Sequence, residues 1–125
     1  MKFYIASGFQ NKPLVSYVGL KLLSEGYMQT YDWTINQRAT TTEQLKRIGT
    51  LEKKAIVACD IFILLLPAGK GSHVELGMAL ALNKRVYIYS NERIDPVTAS
   101  TFYFVDGVER IYGAVDDFIG RIGLV

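Results

Sequence analysis

An unbroken apolar run, Ile61–Leu66, constrains the fold of this chain more than any other stretch. A strand of this kind has no polar face, so it must be covered on both sides, as in a parallel sheet packed between helices. Pro67, Gly69 and Gly71 end the run, and the segment that follows from Ser72 is again nearly all apolar. The pattern predicts a buried central strand, a short Gly/Pro loop and a helix.

The rest of the chain alternates between strand-like and helix-like segments. Thr40 with Glu43, and Ser72 with Glu75, have the spacing of a capping box, which predicts the starts of the second and third helices. Strands alternating with helices imply a parallel sheet with right-handed crossovers, so we expect one flavodoxin-like α/β domain over residues 1–125. This three-layer sandwich should contain a five-stranded, mostly parallel sheet in the order 2-1-3-4-5. The other predicted strands are Lys2–Ala6, Tyr27–Tyr31, Arg85–Tyr89 and Thr101–Val105, and the other helices start at Pro13 and span 43–58 and 108–122.

Composition and charge narrow the classes of function. The formal net charge is +2, and the basic residues form scattered pairs instead of a dense basic face, so we expect no nucleic-acid partner. The longest apolar runs fall short of the roughly twenty residues of a membrane span. Met1 and Lys2 lead directly into a strand without a signal-peptide pattern, and the single cysteine, Cys59, precludes an internal disulfide. These observations favour a cytoplasmic protein with no membrane partner.

The predicted topology also places the ligand site. In this strand order the switch point lies between strands one and three, so the Ser7–Gly8 loop and the Pro67–Ser72 loop should line one crevice. The amides of Gly69 and Gly71, at the start of the third helix, could accept a phosphate or a sugar hydroxyl. Asp60 begins the third strand, about 20 Å from that crevice, which favours a structural role.

Two carboxylates are candidates for chemistry. Glu75 follows the Gly/Pro loop on an otherwise apolar helix and should be partly shielded from water, although its spacing from Ser72 also fits helix capping alone. On the second helix Glu52 lies within about 20° of Leu45, inside the face expected to be buried. An unpaired buried carboxylate is costly, so such a residue usually has a partner or a function. If the helix breaks at Gly49–Thr50, Glu52 is instead exposed.

Three other side chains are weaker candidates. Trp33, in the polar loop after the second strand, could stack on a flat ring or plug the edge of the core. Tyr4 is predicted to lie on the first strand close to the crevice. His73 has no second ligand at metal-binding spacing, and the chain has neither a Walker lysine motif nor a dinucleotide fingerprint, so we expect no metal and no cofactor.

The segment Gly71–Ala81 resembles the nucleoside 2-deoxyribosyltransferase superfamily, which includes the related deoxynucleoside monophosphate N-glycosidases. Members carry an apolar strand like 60–64, a Gly-rich turn and a Glu-x-Gly-x-Ala helix start. The segment Tyr4–Gly8 also resembles the opening of the family, and Tyr31–Thr34 resembles a segment of some bacterial members. The likeness covers most of the chain in layout.

This resemblance implies a homodimer or higher homo-oligomer that makes or breaks the N-glycosidic bond of a small-molecule nucleoside or nucleotide. Glu75 matches the family's nucleophile, whose attack on the anomeric carbon gives a covalent glycosyl-enzyme that a second base or water then resolves. Glu52 falls near an Asp that assists at the leaving base, and a Glu there is a departure. Members acting on monophosphates carry an Arg about where Gln10 stands, and Lys12 could substitute only as a flexible point charge, which favours a nucleoside substrate.

Two further functions remain open at this point. The same crevice could serve a non-catalytic nucleoside- or nucleotide-sensing domain, or the helix faces could serve a protein-interaction domain, since fold alone does not separate them. The residues expected to contact a nucleoside are Tyr4, Ser7, Gly8, Trp33, Gly69, Gly71 and Ser72.

Overall fold

The protein is described by a computed structural model, which describes residues 1–123. The strands are β1 (Lys2–Ser7), β2 (Met28–Gln29), β3 (Ile61–Leu65), β4 (Arg85–Ser90) and β5 (Val108–Tyr112), and the helices are α1 (Lys12–Ser24), α2 (Thr42–Ala58), α3 (Lys70–Ala81) and α4 (Val115–Arg121). Within this range a five-stranded sheet runs in the order β2-β1-β3-β4-β5, and every neighbouring pair is parallel. Helix α1 packs against α4, and α2 packs against α3. The predicted three-layer α/β architecture and strand order are therefore confirmed.

The register of the sheet brings the loops after β1 and β3 together. Strands β1 and β3 pair from Phe3 and Ile61 to Ser7 and Leu65, so their carboxyl ends are level. Direct hydrogen bonds then join the loops, because the Ser7 hydroxyl donates to the Leu65 carbonyl at 2.7 Å and the Gly8 N–H donates to the Pro67 carbonyl at 3.1 Å. This is the switch point of the sheet, where open α/β folds bind their ligands.

The opposite end of the sheet holds Asp60. Its carboxylate accepts a hydrogen bond from the backbone N–H of Lys2 at 2.9 Å, and its own N–H donates to the Lys2 carbonyl at 2.8 Å. Asp60 thus joins the start of β1 to the residue that precedes β3, at the end of the strands away from the switch point.

Helix α2 is anchored to the core by its last turns only. All of β3 is buried, and α1 contributes Val15, Val18 and Leu22, but α2 buries only Ala55 and Ile56. The first half of α2, up to residue 51, is exposed except for the half-buried Ile48. The predicted apolar face of α2 is therefore a core face in its second half alone, and its first half leaves open space beside the sheet.

The carboxyl-terminal third of the chain differs from the sequence prediction. The segment Thr101–Val105, predicted as the fifth strand, begins with a short 3₁₀ turn, and β5 lies in the segment predicted as the closing helix, which shrinks to α4. Gly107 and Gly113, with φ of +90° and +99°, bracket β5 in the left-handed region that favours glycine. These turns determine the bounds of β5, whereas both segments contain aromatic and β-branched residues that fit either position. Strand β2 is also shorter than predicted, with two residues.

The helix starts also differ from the predicted capping boxes. Thr41, one residue later than predicted, caps α2 by accepting the N–H of Gln44 at 3.2 Å. Gly69, three residues earlier than predicted, caps α3, and the Ser72 hydroxyl accepts the Gly69 N–H at 2.8 Å. Glu75 therefore falls in the second turn of α3 and has no capping role. None of the helices within residues 1–123 has the length and apolarity needed to cross a bilayer.

Gly8 is expected to resist substitution, since a Cβ there would lie 3.0 Å from the Pro67 carbonyl oxygen and 3.0 Å from the Gln10 side chain. The Gln10 amide can move away, but the Pro67 carbonyl can move only with its loop. We expect Gly8→Ala to destabilise the protein by about 1–3 kcal/mol, measured by thermal unfolding. The control is Gly120→Ala in α4, where nothing lies within 4 Å and a neutral or stabilising effect is expected. Equal losses of Tm in the two variants would contradict the packing argument.

Candidate active site

A cavity of about 700 Å³, here called the main cavity, opens at the carboxyl ends of β1 and β3. Its wall comes from the loops after β1 and β2, the exposed half of α2, and the start of α3. The residues proposed from sequence that line it are Ser7, Gly8, Trp33, Glu52, Gly69, Gly71, Ser72 and Glu75. The structure thus brings together residues that are 68 positions apart in the chain, from Ser7 to Glu75.

Tyr4 lies beneath this cavity and joins the two carboxylates. Its side chain is fully buried on β1. Its hydroxyl lies 2.6 Å from Glu75 Oε2 and 3.4 Å from Glu52 Oε2. These distances sum to 6.0 Å, so the two carboxylate oxygens lie no more than 6.0 Å apart. Tyr4 therefore positions the carboxylates from below and is not itself part of the cavity wall.

Glu52 reaches this position because α2 is continuous. The helix runs unbroken through Gly49 and Thr50, and the Thr50 hydroxyl donates to the Lys46 carbonyl at 2.7 Å within the helix. The alternative of a helix broken at Gly49, with an exposed Glu52, is wrong. Leu45 and Ile48, two turns and one turn before Glu52, line the same cavity.

Burial and mutual repulsion keep a proton on the carboxylate pair. Burial, and then the charge of Glu52, raise the pKa of Glu75 to about 8, although the hydrogen bond from Tyr4 lowers it. Burial also raises the pKa of Glu52, again against the bond from Tyr4. Burial and the two carboxylates raise the pKa of the Tyr4 phenol far above its usual value, so the phenol stays protonated. At neutral pH the pair therefore retains a proton.

Tyr4 links the two members of this pair. A phenol has one O–H, so Tyr4 can donate to only one carboxylate at a time. The shorter contact, 2.6 Å, assigns this donation to Glu75. The second contact, 3.4 Å to Glu52, places the same hydroxyl beside both carboxylates, so the pair titrates as one coupled unit with a shared proton.

The hydroxyls of Ser7 and Ser72 form hydrogen bonds with other groups of the protein. Ser7 Oγ donates to the Leu65 carbonyl at 2.7 Å and accepts from the Asn11 amide at 2.9 Å. Ser72 Oγ both accepts from the Gly69 N–H and donates to the Gly69 carbonyl. Both side chains therefore shape the cavity wall.

Trp33 is a fixed part of the wall. Its side chain is only 7% exposed, and its indole N–H donates to the Ile5 carbonyl at 2.7 Å. Of the two alternatives from sequence, the structure favours the plug at the edge of the core. The more accessible ring belongs to Phe9, which is 40% exposed, lines the main cavity and lies 6.4 Å from the Trp33 ring. The sequence analysis missed Phe9.

The cations of the main cavity also differ from the sequence expectation. Lys12 donates to the Asn36 carbonyl at 2.5 Å and lies 4.1 Å over the Phe9 ring, and it is not among the residues that line the cavity. Instead Arg38, Lys53 and Lys70 line the cavity. Arg38 could have been found from topology, since it lies in the loop after the second strand, which ends at the ligand-binding edge of the sheet.

His73 lies outside the cavity wall. Its Nδ1 is 2.6 Å from the Gly69 carbonyl, its Nε2 is 2.6 Å from the Tyr103 hydroxyl, and its ring stacks on Tyr103. His73 therefore links the start of α3 to the segment before β5. Within residues 1–123, no group of three or more His, Cys, Asp or Glu side chains is placed to hold a metal ion.

Tyr4→Phe is expected to raise the pKa of Glu75 further, because it removes the hydrogen bond that favours the ionised carboxylate. The measurement is a carboxyl-carbon NMR titration of labelled glutamate. The control is Tyr17→Phe, which removes an exposed hydroxyl bonded to Asp116 on another part of the surface. A Glu75 titration that is the same in wild type and Tyr4→Phe would contradict the role of the phenol.

The sequence matches no family model and no curated protein. The structure, in contrast, is similar to those of enzymes that act on nucleosides or nucleotides. A CMP N-glycosidase from Clostridium botulinum aligns over 99% of this chain and 100% of its own, with a TM-score of 0.68 and 20% identity. The chain shares its fold with this glycosidase and with two 2-deoxyribosyltransferases. The enzyme from Bacillus psychrosaccharolyticus has a TM-score of 0.58 at 20% identity over 78% of this chain and 79% of its own. The enzyme from Leishmania mexicana has a TM-score of 0.52 at 22% identity and aligns over 86% of this chain and 76% of its own.

Proposed function

We propose that the protein is an enzyme that cleaves or transfers at the N-glycosidic bond of a nucleoside or its monophosphate, with Glu75 as nucleophile. One observation carries this proposal: two carboxylates, linked through one buried phenol, face a cavity at the switch point of the sheet. The shared fold with a CMP N-glycosidase and with 2-deoxyribosyltransferases supports it.

The proposed reaction has two steps. In the first, a Glu75 oxygen attacks the anomeric carbon, the carbon–nitrogen bond breaks, and its electron pair leaves with the base as Glu52 donates a proton to the base nitrogen. The product is a glycosyl ester of Glu75. In the second step Glu52 takes a proton from water or from an acceptor base, whose oxygen or nitrogen attacks the anomeric carbon and releases Glu75.

The spacing of the carboxylates supports this route. Retaining glycosidases hold their two carboxyl groups about 5–5.5 Å apart, whereas inverting enzymes need about 6.5–9.5 Å to admit a water molecule. The limit of 6.0 Å between Glu75 Oε2 and Glu52 Oε2 favours the retaining geometry. We therefore expect the anomeric configuration to be retained.

A homo-oligomer is part of the proposal. The helices α2 and α3 pack against each other and expose large apolar side chains, which contact with a second copy of the chain would bury. Three of them, Leu45, Val57 and Val74, are more than half exposed. Light scattering coupled to size exclusion should give a mass of at least two chains, and a monomer at micromolar concentration would refute this part.

The pH dependence of kcat/KM is expected to be bell-shaped, because the reaction needs the carboxylate pair with one proton. With the pKa of Glu75 raised to about 8, the upper limb should lie near pH 8, where the last proton of the pair leaves. Initial rates between pH 4 and 10 test this expectation. Activity that stays constant through pH 8–10 would contradict it.

The direct test is a panel of deoxynucleosides and their monophosphates, incubated with and without an acceptor base and followed by chromatography. A free base released in water indicates hydrolysis, and a new nucleoside formed only with the acceptor indicates transfer. Either product supports the proposal. Saturable ligand binding without any product would refute it and favour a sensing domain.

A further inference from the structure

A second cavity of about 360 Å³ adjoins the main cavity. Its wall comes from the segment 36–40 and from the first two turns of α2. The residues that line it are Asn36, Gln37, Arg38, Ala39, Thr40, Gln44, Arg47 and Ile48. Residues 36–39 and Ile48 also line the main cavity, so the two cavities share one wall.

The second cavity is positively charged. It is lined by two arginines, Arg38 and Arg47, and none of the described residues that line it is Asp or Glu. Glu43 lies on the same turns of α2 but outside this wall. Neither arginine forms an ion pair within residues 1–123. The positive end of the α2 dipole adds to the charge of the two arginines. The wall of the second cavity therefore carries positive charge, with no acidic side chain among its described residues to balance it.

Arg38 lines both cavities. Its guanidinium lies 5.8 Å from the centroid of the Phe9 ring, which faces the main cavity. The main cavity itself is lined by Arg38, Lys53 and Lys70, against the Glu52–Glu75 pair, which retains a proton at neutral pH. Cations therefore outnumber ionised carboxylates in both cavities, which is the electrostatic pattern of a site for an anionic ligand.

We propose that the second cavity is an oxyanion subsite, in which Arg38 and Arg47 bind a phosphate group. The guanidinium presents a planar fork of N–H donors that matches the oxygens of a phosphate, and the two arginines reach the cavity from different elements, the 36–40 segment and α2. This assignment deepens the proposed function, because it favours a phosphorylated ligand. It also changes the expectation from sequence, which favoured a nucleoside because position 10 holds Gln.

The test is calorimetric titration of the protein with inorganic phosphate at low ionic strength, using two matched variants. Arg47→Gln and Lys46→Gln each remove one positive charge from adjacent positions of α2, but only Arg47 lines the cavity. We expect Arg47→Gln to weaken phosphate binding about tenfold or more, as the loss of a charged hydrogen bond requires, and Lys46→Gln to change it less than about twofold. The absence of phosphate binding to the wild type, or equal weakening in both variants, would overturn the proposal.

Titration with a deoxynucleoside and its 5′-monophosphate identifies the source of the phosphate. If the ligand of the main cavity carries it, the monophosphate binds more tightly than the nucleoside, and Arg47→Gln reduces this preference whereas Lys46→Gln preserves it. If phosphate is a separate ligand, it binds together with the monophosphate. Both results support the subsite. The inference rests on the proposed function only for the identity of the nucleoside. Phosphate binding without any turnover would refute the proposed enzymatic activity and would still support the subsite.

Discussion

Glu75→Gln is expected to lower turnover by at least about 10³-fold while the protein remains folded. An amide does not form the glycosyl ester that the proposed reaction requires. It has the size of the carboxyl group and still accepts the hydrogen bond from Tyr4, which lies 2.6 Å away. The measurement is product formation with the best substrate of the panel. Unchanged turnover would exclude Glu75 as the nucleophile.

Glu75→Gln is also expected to change how the stability of the protein depends on pH. Glu75 has its pKa raised from 4.5 to about 8 in the folded state. Between these values the folded protein binds more protons than the unfolded one, so the free energy of unfolding falls as pH rises from 4.5 to 8. Glu75→Gln lacks this titrating carboxyl group, so its free energy of unfolding should not fall over this pH range. It should therefore be more stable than the wild type at pH 8.5, measured by urea denaturation. The exposed control Glu92→Gln should change neither turnover nor this pH dependence.

Glu52→Gln is expected to lower kcat/KM about 10²- to 10⁴-fold, the usual contribution of a general acid. The loss should be smaller for bases that leave readily as anions, because these need less help from a proton donor. Removing the charge of Glu52 also lowers the pKa of Glu75, so the variant should become active at lower pH and lose the limb near pH 8. Rates for several leaving bases across pH test both effects.

The control for Glu52 is Glu43→Gln, which removes a carboxylate from the exposed first turn of the same helix. Glu43→Gln should leave the dependence of the rate on the leaving base the same as in the wild type. If Glu52→Gln reduces the rate by the same factor for every base, Glu52 does not act as the proton donor, and its effect must come through the position of Glu75.

The sequence predicted the parts of the fold that depend on local pattern. The apolar run Ile61–Leu66 predicted the central strand, and the alternation of strands and helices predicted a parallel sheet, whose expected order 2-1-3-4-5 the structure confirms. The fifth strand was misplaced because its bounds depend on the turns at Gly107 and Gly113, and composition does not distinguish Val108–Tyr112 from the segment before it. Capping residues were wrong by one to three positions. At the start of α2, Thr40 and Thr41 are neighbouring candidates for the cap, and at the start of α3 the cap is Gly69, which has no side chain to mark it.

Several residues of the candidate site could be predicted from the topology of the sheet. Glu75 and Glu52 were found from position and helical periodicity, but their link through Tyr4 depends on three elements meeting in space, which no local spacing records. Lys12 illustrates the opposite case. It was considered for charge, yet tertiary contacts direct it to Asn36, and the cations that line the cavity, Arg38, Lys53 and Lys70, were not proposed for the site from sequence.

The anchoring of α2 affects how the site operates. The helix is held to the core by Ala55 and Ile56, whereas Glu52 and the residues before it stand over the cavity. Segments with few buried contacts open at a fraction of the global unfolding free energy, and amide hydrogen exchange reports such opening. A ligand that fills the space beside Leu45 and Ile48 supplies the contacts this half of the helix lacks. In the proposed reaction, binding and the ordering of the proposed proton donor would therefore be one thermodynamic event, and part of the affinity for the ligand would be used to hold Glu52 in place.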